Sequence, residues 1–197
     1  MLASEEKVNL GDNIPHVVVN FPRAGEIAAQ HLLELGHRKI GVIVGCGLEG
    51  MQVGRLEGFR QTLRAAGVEL PETAIRNVND TVVNGHEAAE SLLAQYPDLT
   101  ALFCTNDLLA YGASQALADH GIRVPQDVSL IGVTDIQLAR DMRPALTTVA
   151  LGIEQIATLS VNLLLDLIEN PAHQPTIVQV PDPVLVVRSS TGPVRSV

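Results

Sequence analysis

Polar residues that suit a small-molecule site follow two apolar runs of the chain. The run 100–104 leads into Asn106, and the run 128–133 leads into Thr134 and Asp135. A helical pattern separates the two runs, so the local order is strand, helix, strand. Ligands of open parallel sheets bind at the carboxyl ends of the strands, and neighbouring strands lie about 5 Å apart. We therefore expect Asn106 and the pair Thr134–Asp135 to contact the same ligand.

Each of these residues also has a purely structural interpretation. Asn is a preferred helix N-cap, and Asn106 stands directly before the helical pattern. A capping amide still has donor capacity left for hydroxyl-rich ligands. Thr134 and Asp135 also suit a solvated turn held by local Asx hydrogen bonds. The sequence leaves both interpretations open, and the pair at matching strand ends favours a site.

Arg55 is a third candidate, because it opens a helical pattern after a glycine-rich stretch. A guanidinium at this place can hold a hydroxyl or a carboxylate through two donors. Most arginines in the first turn of a helix are instead solvated.

The segment 45–50, with the sequence GCGLEG, matches the glycine pattern of dinucleotide-binding turns and follows an apolar run. The acid expected about 20 residues further on, at the end of the next strand, is missing. The following helix is predicted to begin near Gly54, too late for the third glycine to lie against it. These two points disfavour a nucleotide-dependent enzyme, although NAD protection would revive that hypothesis.

Composition narrows the possible functions further. The formal net charge is −9, and only two of the 13 basic residues are lysines, so the chain by itself is not expected to bind DNA or an anionic membrane. The six histidines and two cysteines have no metal-ligand spacing, and no serine lies in a nucleophile elbow. We expect no enzyme activity, no cofactor and no metal. The absence of a signal segment and of a membrane span favours the cytoplasm.

Strand and helix patterns alternate along the chain, which predicts an α/β fold with a doubly wound parallel sheet. Helices are predicted over 24–35, 55–66, 84–96 and 153–168. Strands are predicted over 14–20, 39–44, 73–78, 100–104, 128–133, 176–180 and 184–187. No strand or helix is assigned to the residues between 134 and 152.

Six short motifs resemble those of the lac-repressor-type (LacI/GalR) family of bacterial transcriptional regulators, in the family's order and spacing. They are LGHRKI at 35–40, RLEGF at 55–59, NDLLAYG at 106–112, VPQDVSLIG at 124–132, PALTTV at 144–149 and VRSST at 187–191. The resemblance implies a two-lobe core like that of a periplasmic sugar-binding protein, with an effector held between the lobes. It further implies a complete C-terminal lobe, 37–145 and 172–192, plus a partial N-terminal lobe, 14–36 and 146–171.

In the family, the arginine of the RxxGF motif, the asparagine of the ND motif and an acid after the VSxxG strand contact the effector. These positions are Arg55, Asn106 and the pair Thr134–Asp135. The family's usual acid is at the first position of the pair, where this chain has Thr134, so Asp135 replaces it only in part. The resemblance thus implies altered chemistry in this part of the pocket.

The family also has a helix-turn-helix head, which this sequence lacks, so operator DNA is expected to bind only through that head. The implied partners are a sugar or nucleoside-like effector, a second copy in a homodimer, and no membrane. With much of the N-terminal lobe absent, Val17–Val19 is expected to lack sheet partners, and an unpaired apolar strand favours self-association. The alternative is a periplasmic sugar-binding protein of a transport system, which shares the fold.

Overall fold

A computed structural model describes residues 15–46, 51–170 and 177–195 of the chain. Eight strands and six α-helices follow one another within these ranges. They are β1 (His16–Val18), α1 (Phe21–Glu34), β2 (Ile40–Gly45), α2 (Met51–Ala65), β3 (Ile75–Val78), α3 (Val82–Gln95), β4 (Ala101–Cys104), α4 (Asp107–Asp119), β5 (Ser129–Thr134), α5 (Gln137–Asp141), β6 (Thr147–Ala150), α6 (Ile153–Glu169), β7 (Ile177–Gln179) and β8 (Val184–Val186).

The main sheet has six strands in the order β3-β2-β4-β5-β6-β8. Neighbouring strands run parallel except β8, which is antiparallel to β6. The chain passes from β2 outward to β3 and then returns across β2 to β4. The sheet therefore has a switch point between β2 and β4, where parallel folds leave a crevice at the carboxyl ends of the strands.

Two apolar cores lie on opposite faces of this sheet, as a doubly wound fold requires. Alternate residues of β2 show the division: Val42 and Val44 belong to the core shared with α1 and α2, and Ile43 belongs to the core shared with α3 and α4. Every residue of β2 and β4 is buried. This explains why both strands read as continuous apolar runs rather than alternating ones. The predicted fold class is confirmed.

The structure corrects the prediction that Val17–Val19 lacks sheet partners. Strand β1 pairs in parallel with β7 in a separate two-stranded sheet, with Val17 opposite Val178. Sequence reasoning located both strands but did not foresee that they pair across 160 residues. Strand β6 was not foreseen at all and lies inside the main sheet, although residues 146–171 were assigned to the other lobe. The lobe boundaries as a whole stay a prediction.

The C-terminal segment is fastened to the amino-end side of the main sheet by a polar network that includes two histidines. His31 Nε2 lies 2.9 Å from Thr191 Oγ1, and His37 Nε2 lies 3.0 Å from the carbonyl oxygen of Gly192. The second ring nitrogen of His37 lies 3.0 Å from Thr100 Oγ1. Both histidines have a structural role in the fold.

Acid is therefore expected to destabilise the fold through these two histidines. Burial lowers the pKa of His31 and of His37 below the ordinary value of 6.5. Below pH 6.5 the two histidines bind protons in the unfolded chain but stay neutral in the folded chain. Their contribution to the free energy of unfolding is therefore complete above pH 6.5 and is lost as the pH falls through the lowered pKa values. Urea unfolding at two pH values, about 7.5 and about 5.5, measures the loss.

The matched control for this prediction is the double variant His31→Gln/His37→Gln. It should show a smaller pH dependence than the unaltered chain. The comparison isolates these two groups from His86, whose pKa is raised by its hydrogen bond to Asp119 and whose effect has the opposite sign. An equal pH dependence in the variant and the unaltered chain would contradict the prediction.

Candidate functional site

Arg55 lies at the switch point of the sheet and is almost completely buried, with 4% of its surface exposed. Its Nη1 donates to the backbone carbonyl of Thr105 at 2.6 Å and to Gln52 Oε1 at 3.2 Å. The guanidinium also lies over the Phe21 ring, 5.2 Å from the ring centroid. Arg55 belongs to the helix that follows β2, and its side chain is bonded to the residue that follows β4. It is therefore not a solvated first-turn arginine.

One donor of this guanidinium is left without a partner. Arg55 Nε is buried and makes no hydrogen bond within the described residues. Burial lowers the pKa of Arg55 to about 10, against the opposing effect of Asp80 and Asp107, so the group stays cationic at neutral pH. A buried donor that is unsatisfied costs about 1–3 kcal/mol, and a ligand acceptor would remove that cost.

Asn106 is both an N-cap and a member of a polar cluster. Its Oδ1 accepts from the backbone N–H of Leu109 at 2.9 Å, which caps α4 as the structural interpretation predicted. Its Nδ2 donates to Asp80 Oδ1 at 2.5 Å. The cap therefore uses only the oxygen, and the amide nitrogen faces the carboxyl end of β3.

Asp80 is a site residue that sequence reasoning missed as a ligand candidate. It follows β3, the neighbour of β2, and is half-buried. A Cβ at position 45 would lie 1.7 Å from Asp80 Oδ1, so the carboxylate fits only because that residue is glycine. The available signal was weak, because β3 is short and only partly apolar, so its carboxyl end did not stand out.

Asp135 lies at the neighbouring strand end, but its carboxylate already has two cationic partners. Oδ1 accepts from Arg188 Nη2 at 2.5 Å, and Oδ2 accepts from Arg140 Nη2 at 3.1 Å. Thr134 and Asp135 both have positive φ angles, 127° and 62°. The turn is thus held by ion pairs to α5 and to the C-terminal segment, rather than by local Asx hydrogen bonds alone.

Asp107, the residue after Asn106, connects this end of β4 to the turn after β5 and to β6. Its Oδ2 accepts from the backbone N–H of Ile136 at 3.0 Å, and its Oδ1 accepts from Thr148 Oγ1 at 2.6 Å. Burial raises the pKa of Asp107, and the nearby Asp135 raises it further, whereas these hydrogen bonds lower it. Asp107 is thus held in place by β6 and by the turn after β5, and it lies near enough to Arg55 to favour the charged guanidinium.

The structure places all four sequence-predicted residues at the carboxyl edge of the main sheet. Arg55 donates to the carbonyl oxygen of Thr105, the residue before Asn106, and Asn106 donates to Asp80. Thr134 and Asp135 lie at the end of β5, linked to the others through Asp107. Whether these residues contact an effector stays a prediction.

Neither a cofactor turn nor a metal centre gains support at this edge. Residues 47–50 of the glycine-rich segment lie outside the described residues. Helix α2 begins at Met51 and not near Gly54, so the prediction of a late helix start, and the argument against a dinucleotide turn that rested on it, were wrong. The space beside Gly45 is filled by Asp80, which leaves no room there for a ligand group. Within 15–46, 51–170 and 177–195, no cluster of three His, Cys, Asp or Glu side chains is arranged to hold a metal ion. Cys46 and Cys104 are both free thiols.

Comparison with known proteins shows the family to which this fold belongs. Residues 29–191 match the family described as the periplasmic binding protein-like domain, and the chain belongs to that family. It is 38% identical over 181 residues to the HTH-type transcriptional repressor PurR of Escherichia coli O1:K1 / APEC, covering 91% of this chain and 53% of that protein. The chain spans about half the length of the curated relatives it matches.

Two solved structures of similar fold are transcriptional regulators with a bound sugar. The complex of the transcriptional regulator CelR with cellobiose superposes with a TM-score of 0.87 at 31% identity, covering 95% of this chain and 57% of that one. A LacI family regulator from Enterococcus faecium with bound ribose gives 0.81 at 28% identity, covering 92% and 66%. The resemblance to a LacI/GalR effector-binding core is confirmed. The transport alternative is not favoured, because these relatives are transcriptional regulators.

Proposed function

We propose that this chain forms one wall of a small-molecule effector site and the dimerisation core of a LacI-type transcriptional regulator. The observation that carries the proposal is the buried Arg55, whose Nε lacks a partner at the switch point of the sheet. Asn106 and Asp80 stand beside it with amide and carboxylate groups. Such a set of donors and acceptors suits a hydroxyl-rich ligand, a sugar or the ribose of a nucleoside.

The proposed mechanism is a shift between two states of a two-lobe core. An effector that binds the closed state more tightly than the open one moves the equilibrium by that difference in affinity, and the change reaches operator DNA through a helix-turn-helix head. Asp135 then acts on the ligand only if Arg188 or Arg140 releases one of its oxygens. Of the predicted contacts, Arg55 and Asn106 are therefore primary, and Thr134 and Asp135 are secondary.

The remaining parts of the proposal follow from the class of relatives. The protein acts as a homodimer, is not an enzyme and works in the cytoplasm, as expected of bacterial repressors that bind operator DNA. No helix within the described ranges is long and apolar enough to cross a membrane.

Replacing Arg55 by methionine should weaken effector binding at least tenfold, about 1.4 kcal/mol, because the ligand loses a buried charged donor. Calorimetric titration of the chain with D-ribose, cellobiose, guanosine and guanine, each up to about 10 mM, identifies a binding probe and measures its affinity. Methionine keeps the buried length of the side chain, and a thermal melt verifies that the variant is folded.

Arg60→Met is the matched control, since Arg60 lies on the same helix and its Nε is likewise buried without a partner. Arg60 pairs with Glu72 near the far end of that helix, away from the switch point of the sheet. It should leave the affinity for the probe unchanged. Equal losses in both variants, or no binding of any of the four compounds, would contradict the proposal for this chain.

A further inference from the structure

A cavity of about 400 Å³ lies where helix α2 ends and the chain turns towards β3. Its charged lining residues are Arg60 and Arg64 of α2, and Glu69 and Glu72 of the segment that follows. A volume of this size falls in the range of small-molecule sites, about 300–1,000 Å³. With two basic and two acidic side chains, the cavity is neutral as a whole but strongly polar in its parts.

This cavity is separate from the effector site, although both use helix α2. Arg60 comes five residues after Arg55, which places it about 8 Å further along the helix and rotates it by about 140°. Arg64 follows Arg60 by one turn and lies within about 40° of it, so these two side chains share a face. The cavity therefore lies on a different side of α2 from Arg55.

The guanidinium of Arg60 is only partly engaged. Its Nη1 lies 2.6 Å from Oε1 of Glu72, whose side chain is 76% exposed. Its Nε is buried and has no hydrogen-bond partner within the described residues, where Arg55 Nε is the only other side-chain atom in this state. Because a guanidinium can hold a carboxylate through two parallel N–H donors, Arg60 has the capacity to bind a second carboxylate.

Arg64 and Glu69 are the two charged groups of the cavity that have no partner. Both side chains are exposed, and neither makes a hydrogen bond or an ion pair within residues 15–46, 51–170 and 177–195. Since their charges are opposite, a ligand with a single charge is attracted by one of them and repelled by the other. A ligand with both a carboxylate and an ammonium group satisfies both, and its hydrocarbon part can lie against the partly buried Leu70.

We propose that this cavity binds a small zwitterion, the class of the free α-amino acids. The ligand carboxylate accepts hydrogen bonds from Arg60 and Arg64, and the ligand ammonium donates to Glu69. Glu72 stays on the Nη1 end of Arg60 and holds that guanidinium in place. The proposal depends neither on the effector site nor on a second copy of the chain.

Calorimetric titration of the 197-residue chain with three compounds that share one hydrocarbon group tests the proposal. L-Leucine carries both charges, isocaproate carries only the carboxylate, and isoamylamine carries only the ammonium. Each is titrated to about 20 mM, which detects dissociation constants of about 1–10 mM. L-Leucine should bind, and the two compounds with a single charge should bind at least about fivefold more weakly.

Two variants separate the contributions of the opposite charges. Arg60→Met should weaken the binding of L-leucine at least about tenfold, because it removes the buried donor. Glu69→Gln should weaken L-leucine at least about threefold, because it removes the partner of the ammonium, and should strengthen isocaproate, because it removes a repelling charge.

The matched control is Arg23→Met, since Arg23 also pairs with a glutamate, Glu26, and its side chain is 38% exposed against 32% for Arg60. It should leave the affinity for L-leucine within about twofold of that of the unaltered chain. Thermal melts verify that all variants are folded.

Three results would overturn the proposal. They are the absence of L-leucine binding at about 20 mM, equal binding of L-leucine by the unaltered chain and Arg60→Met, and equal binding of L-leucine and isocaproate. D-Ribose, cellobiose, guanosine and guanine carry no carboxylate, so they do not fit this cavity, and Arg60→Met keeps its use as a control for the effector site. Failure of one site is thus measured independently of failure of the other.

Discussion

Replacing Gly58 with alanine should lower the free energy of unfolding by about 3 kcal/mol or more, the upper end of the usual cost of overpacking. Helices α1 and α2 approach so closely here that a Cβ at position 58 would lie 2.0 Å from the carbonyl oxygen of Pro22. The atom in the way belongs to the backbone and cannot rotate aside, so the two helices must separate. Guanidinium-induced unfolding measures the loss.

Gly54→Ala is the control for this variant, because Gly54 lies one turn earlier on the same helix. A Cβ there would have its nearest neighbours at 3.3 Å, and these are side-chain atoms of Phe21 and Pro22. Its free energy of unfolding should stay within about 1 kcal/mol of that of the unaltered chain, since alanine also favours the helix. Similar losses at both positions would show that close approach of the helices is not the cause.

The consequence for the site is direct, because Gly25 and Gly58 set the spacing of the helices that hold Arg55. A Cβ at position 25 would lie 1.9 Å from the carbonyl oxygen of Arg55 itself. The glycine of the RxxGF motif thus has a structural role, and the arginine of the same motif is the residue that it positions.

Replacing Asp107 with alanine should be the second most damaging change, with an expected loss of about 3 kcal/mol. The change leaves the Thr148 hydroxyl and the backbone N–H of Ile136 without their acceptor. It also removes one of the two carboxylates that favour the buried charge of Arg55. The loss is measured by urea unfolding at neutral pH.

Asp119→Ala provides the comparison, since Asp119 ends the same helix and its side chain is 69% exposed. Removing it should cost well under about 1 kcal/mol, as is usual for an exposed ion pair. An Asp107→Ala variant as stable as Asp119→Ala would show that the network around Asp107 does not stabilise the fold.

The sequence by itself determined the class of fold and the edge of the sheet on which the polar residues lie. Continuous apolar runs such as 39–44 indicated strands covered on both faces, and the glycine and proline stops between them indicated the crossover helices. These signals are local, because burial on both faces and helix termination are recorded in neighbouring residues. The order of strand and helix then placed Arg55, Asn106 and Asp135 at the carboxyl ends of their strands.

Only the tertiary structure decided which of these groups are already engaged. Arg188 is 53 residues from Asp135 along the chain, and nothing in either local sequence indicates that the two form an ion pair. The same holds for Asp80 and Asn106, and for β1 and β7, whose pairing depends on the path of the whole chain. Hydrogen bonds and ion pairs between distant residues depend on where the backbone brings their atoms, so the free donor on Arg55 became visible only in three dimensions.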